Sequence, residues 1–104
     1  MAQFDVYINP NPDTKTQIPY LLDVQAELLD SFATRVIIPV YHAGSINILV
    51  RQLNPVIQMQ GEKLILSTSE LAAVPTSYLG VFVENISHER HTIITAIDLL
   101  ITGV

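Results

Sequence analysis

Apolar residues recur at two different periods in this 104-residue chain, and the period changes only once. From Phe4 to Ser67 they come in short alternating or continuous runs, several of them closed by Pro, Asn or Gly. From Ile93 to Ile101 they return every third or fourth position. The first pattern builds strands and the second builds one amphipathic helix. Gln3-Phe4-Asp5-Val6-Tyr7-Ile8 places Phe4, Val6 and Ile8 on one face of a half-buried strand. Asn9-Pro10-Asn11-Pro12-Asp13 ends that ladder and Ile18–Val24 returns, which predicts a hairpin with a long, polar, mobile tip. Gln25–Asp30 holds helix formers around Leu28-Leu29 but is too short to decide between states.

Arg35–Val40 is a β-branched run that Pro39 bends or ends, and Tyr41–Asn47 reads as loop. Val56–Gln60 and Lys63–Ser67 read as a hairpin turning at Gly61-Glu62. Pro75 and Gly80 bracket a short segment before the helix. Ser87 is the expected N-cap, and Glu89 complements the positive helix start. Ile93, Ile94, Ile97, Leu100 and Ile101 form the apolar stripe; Asp98 falls off it, and Gly103 stands where a C-cap glycine would. Strands followed by one C-terminal helix make a mainly β (α+β) domain covering residues 1–104, with no repeat or linker.

Hydrophobic residues make up 49% of the chain and charged residues 14%, against about 25% charged in an ordinary soluble domain. A domain this small hides only about 60% of its unfolded surface, so the surplus predicts an oligomer or a protein partner. No apolar run reaches the roughly 20 residues of a membrane span, and Met1–Asp5 lacks the basic start of a secretory signal. With no cysteine, disulfides and thiolate chemistry are excluded, in keeping with a cytoplasmic protein. Five Lys+Arg against ten Asp+Glu give a net charge of -5, which argues against direct nucleic-acid binding.

Enzyme chemistry finds no support. His88-Glu89-Arg90-His91 spaces its imidazoles at i and i+3 rather than the i and i+4 of a zinc helix, so no metal is expected. There is no nucleophile elbow and no phosphate-binding glycine loop; Ser67, Thr68 and Ser69 read as residues lining a strand end, and Asp23 with Glu27 as surface charge. No cofactor or catalytic residue is expected. The apolar run Leu99–Val104 is either tucked into the core or offered to a partner.

Several stretches together resemble the CcdB toxins of type II toxin–antitoxin systems. They are Gln3-Phe4, Val6-Tyr7, Leu22-Asp23-Val24-Gln25, Asp30, Arg35, Ile38-Pro39-Val40, Pro55-Val56, Ala73-Val74-Pro75, Leu79-Gly80, Ser87-His88, Ala96-Ile97-Asp98-Leu99 and Gly103-Val104. The resemblance covers essentially the whole chain and is weakest at Asn9–Thr16 and Tyr41–Asn54. It implies an SH3-like β-barrel with a small β-wing and a C-terminal helix, assembled as a homodimer. It implies no catalysis: such toxins bind the A subunit of DNA gyrase and trap the gyrase–DNA cleavage complex. A CcdA-type antitoxin neutralises them, and the pair represses its own operon with the antitoxin touching the DNA.

Carried over position by position, the resemblance implies gyrase contacts at Leu28, Leu29, Asp98, Ile101, Thr102, Gly103 and Val104. Ile101 and Thr102 stand where the best-known members carry an aromatic pair, and Asp98 where they carry Asn. The antitoxin is expected at the edge and tip of the first hairpin: Tyr7, Asn9, Asn11, Asp13 and Thr14. Two alternatives stand beside this reading. One is a degenerate relative that binds antitoxin without poisoning gyrase. The other, less favoured for want of a basic groove, is a MazF/Kid-like ribonuclease on the related barrel.

Overall fold

In a computed structural model of the chain, residues 1–29, 31–47 and 50–103 are described. Seven strands, β1 Asp5–Ile8, β2 Tyr20–Asp23, β3 Thr34–His42, β4 Val56–Met59, β5 Glu62–Leu66, β6 Ala72–Pro75 and β7 Phe82–Asn85, precede one helix, α1 Arg90–Thr102. The strands form a single antiparallel sheet in the order β4-β5-β3-β2-β1-β7, with β6 also on β3. This is the mainly β, curled half-barrel with one C-terminal helix that the SH3-like expectation describes.

β3 organises the sheet. One edge pairs with β2 from Tyr20↔Val40 to Asp23↔Ile37. The other edge takes β6 at Thr34–Ile37 and β5 at Val40–His42. Pro39 lies where this edge changes partner, so its missing N–H costs no ladder bond, while its carbonyl accepts from the Ser67 N–H at 2.9 Å. The strand therefore continues through Pro39, and Tyr41 and His42 belong to it rather than to a loop. The hairpin joining β4 and β5 turns at Gln60 (φ 54°) and Gly61 (φ 78°), one residue earlier than expected. That pair of positive angles suits the twist of a two-residue hairpin.

Both faces of the central strands are buried. Val6, Leu22, Ile38 and Val40 face the main core with Ile57, Leu64, Leu66, Ile86 and Ile93. By alternation, Asp5, Tyr7, Leu21, Asp23, Arg35 and Ile37 share the opposite face, and all six are buried too. Asp23 is thus no surface charge. It is fully buried, with Arg35 Nε at 2.8 Å and Nη2 at 2.7 Å from its Oδ2. Burial pushes the Asp23 carboxyl above the usual carboxylate range, against the opposing pull of the Gln25 N–H and the Arg35 guanidinium. Tyr7 is likewise pushed up to about 12, by burial and then by Asp5, which accepts its hydroxyl proton at 3.2 Å.

Other local readings change as well. Phe4 precedes β1 with φ 72°, held by a 2.6 Å bond from its N–H to Asp23 O and by the Ile86 N–H on its carbonyl. Ile8 is exposed, because β1 leaves the core face where its pairing with β7 slips between Val6 and Tyr7. Ser87 makes no side-chain cap: it opens a 3₁₀ turn, and its own N–H bonds to Asn85 Oδ1 at 2.9 Å. Gly103 does close the helix, at φ 78°, donating to Leu99 O at 3.0 Å.

Candidate interaction surfaces

The first surface is the end of α1. Ile93 and Ala96 are its fully buried residues, and Ile94 and Ile97 pack against the same core. Ile101 is 70% exposed, so it drops out of the expected stripe, whereas Ala96, outside that stripe, is fully buried. Asp98, Thr102 and Gly103 are also exposed. The Thr102 hydroxyl donates to the main-chain Asp98 O at 2.6 Å. No basic residue stands in the last helical turn. Of the apolar end, Leu99 and Leu100 are half-buried, and Ile101, Thr102 and Gly103 face outward. Val104 lies outside the described residues.

The second surface is the 3₁₀ turn Glu27–Leu29. Leu28 is 91% exposed, and Leu29 and Phe32 are exposed beside it. Burying a leucine of this kind against a partner gives about 1.5–3 kcal/mol. Leu28 and Leu29 thus stand on this turn, and Asp98, Ile101, Thr102 and Gly103 on the end of α1, two different elements of the chain.

The third surface is a cleft of about 430 Å³ on the opposite sheet face. Asn9, Pro10, Asn11 and Thr14 of the hairpin tip wall one side; Leu21, Ile37 and Pro39 form the floor, with Ile18, Val74, Ser77 and Tyr78 around it. The tip carries its own hydrogen bonds. Asn9 Nδ2 donates to Thr14 Oγ1 and Ile18 O, both at 2.9 Å, and Asn11 O accepts from the Thr14 and Lys15 N–H groups. Of the expected antitoxin residues, Asn9, Asn11 and Thr14 meet at this cleft and Asp13 is exposed at the tip. Tyr7 does not reach it. Its ring is buried edge-on to Phe82, centroids 6.1 Å apart.

Sequence reasoning missed Val74, Ser77 and Tyr78 because β6 and the following turn were read as a nondescript segment. The unbroken apolar run Ile18–Leu22 was the available signal, since burial on both faces erases alternation. Of the five basic residues, Arg35 is sealed in the interior, and the Arg90 guanidinium sits 5.5 Å over the Phe4 ring. Lys15, Arg51 and Lys63 remain, each on a separate element of the chain. No helix among the described residues is long and apolar enough to cross a membrane. A family model described as CcdB protein matches residues 3–103.

Proposed function

The chain belongs to the CcdB family of toxin–antitoxin toxins, and from that premise we propose that it binds the A subunit of DNA gyrase and traps the gyrase–DNA cleavage complex. No bond is made or broken by the toxin in this reading. It acts by binding the cleaved state better than the resealed one, and shifts the equilibrium only by that difference in affinity. The binding energy comes from Leu28 and Leu29 and from the helix end at Asp98, Ile101, Thr102, Gly103 and Val104. The observation that carries the reading is the outward presentation of the helix end, with Ile101 70% exposed.

We further read the active species as a cytoplasmic homodimer. A twofold pairing near the helix ends would set the exposed helix ends of two chains side by side, and it would cover part of the surplus apolar area. A CcdA-type antitoxin segment would lie over the first hairpin and seat an apolar side chain in the cleft between Asn9, Thr14 and Tyr78. The acidic surface favours a basic partner and speeds its encounter. DNA is then reached only through gyrase or through the antitoxin, including in repression of the operon.

The test is expression in a gyrase-sensitive host with and without the antitoxin, scored for growth and double-strand breaks. Growth arrest with breaks, both relieved by antitoxin, is expected. A folded protein that binds antitoxin but causes no breaks would refute poisoning. It would instead establish the degenerate-relative reading, which the replacement of the aromatic pair by Ile101-Thr102 favours.

A further inference from the structure

We propose that Gln25 is a positioning residue for partner binding, a clamp that holds the Glu27–Leu29 turn in the shape that presents Leu28 and Leu29. This rests on the gyrase-facing role proposed above.

The Gln25 side chain is 7% exposed and makes two bonds of opposite sense. Its Oε1 accepts from the Val36 N–H at 3.1 Å, continuing the β2–β3 ladder one step past the last main-chain bond, Val24 N–H to Val36 O. Its Nε2 donates to Leu29 O at 2.9 Å. Leu29 O also accepts from the Phe32 N–H at 3.2 Å, and the Leu29 N–H donates to Ala26 O at 2.9 Å. One side chain thus ties the sheet edge to the carbonyl on which the turn closes. Its own backbone is anchored in turn, the Gln25 N–H donating to Asp23 Oδ1 at 3.0 Å beside the Asp23–Arg35 pair.

The chemistry needs a glutamine. Glutamate of the same length keeps the acceptor and loses the donor, and would set a carboxylate against Leu29 O. Asparagine is one methylene shorter, and methionine offers neither group. Leu28 is 91% exposed, so nothing it packs on within the protomer holds its place. Without the clamp the turn populates other conformers, and binding weakens in proportion to the competent fraction lost.

The experiment measures binding of purified gyrase A subunit to the full-length protein, together with amide hydrogen exchange. Gln25→Glu should bind about tenfold more weakly, the scale of one lost hydrogen bond. The Leu29 and Phe32 amides should exchange faster, while core amides such as Ile38 and Leu64 stay protected. In a Leu28→Ala/Leu29→Ala background the same substitution should change binding less than twofold, because there is no longer anything to position. An equal loss in that background would place the action of Gln25 elsewhere and overturn the proposal, as would unaltered binding by Gln25→Glu. If Leu28→Ala/Leu29→Ala alone leaves binding intact, the gyrase-facing reading of this turn fails, and the clamp's role in binding fails with it. Should Gln25→Glu not fold, Gln25→Met keeps the volume and repeats the test; global unfolding of both would make Gln25 a stability residue and refute the assignment.

Discussion

Replacing Arg35 with methionine should cost far more than its loss of charge would at a surface. Arg35 and Asp23 are both fully buried, and the contact is close, with Nε at 2.8 Å and Nη2 at 2.7 Å from one carboxylate oxygen. Methionine fills much of the arginine volume, so the cavity term is small. What remains is a buried carboxylate with the Gln25 N–H on Oδ1 and no counter-charge. Breaking a buried pair in this way costs about 3–5 kcal/mol. At about 4–8 °C per kcal/mol for a domain of this size, the melting temperature should fall by at least about 12 °C. The double variant Asp23→Asn/Arg35→Met should recover to within about 1.5 kcal/mol of the parent, since Asn Oδ1 still accepts from Gln25 and no charge stays buried. The parent pair is itself imperfect: Arg35 Nη1 is buried without a partner, which makes that recovery easier. The assay is urea unfolding at one fixed protein concentration, because self-association would otherwise shift the midpoint. A double variant as unstable as Arg35→Met would refute the reasoning and show that arginine packing, not pairing, carries the site.

Three further outcomes are expected. Ile93→Ala, at a fully buried helix position, should cost about 2–5 kcal/mol, whereas Ile101→Ser should change stability by less than about 0.5 kcal/mol yet weaken binding to gyrase A subunit, as unfolding and binding measured in parallel would show. Gly80→Ala should destabilise by about 1–3 kcal/mol, because its Cβ would fall 2.5 Å from Ile8 O and break the Gly80 N–H···Ile8 O bond; a parental melting temperature would contradict this. Tyr7 and Tyr41 both titrate near 12 in the fold against 10.0 when free, so their contribution is intact below pH 10 and is lost as pH rises toward 12. Urea midpoints across that range should fall, and Tyr7→Phe should flatten the slope.

Elements whose signal is local are legible along the chain. The period-2 run at Val6, the turn at Asn9–Asp13, the hairpin around Gly61 and the helical spacing from Ile93 are each set by neighbours along the chain. The resemblance carried by motifs such as Leu22-Asp23-Val24-Gln25 pointed to the family in the same way, residue by residue. Tertiary structure decided what depends on a second face. Asp23 reads as surface charge because nothing in its local sequence says that β3 brings the Arg35 guanidinium against it on a buried face of the sheet. Pro39 reads as a bend or an end of its strand because only the sheet shows that its missing N–H falls where β3 exchanges β6 for β5. Ile101 read as the last member of the stripe because period alone does not tell where a helix outruns the core beneath it. The candidate sites share that origin. Asn9, Leu21 and Tyr78 make one cleft, and Gln25 reaches across the sheet to Val36, through pairings between separate strands and turns, which no local pattern encodes.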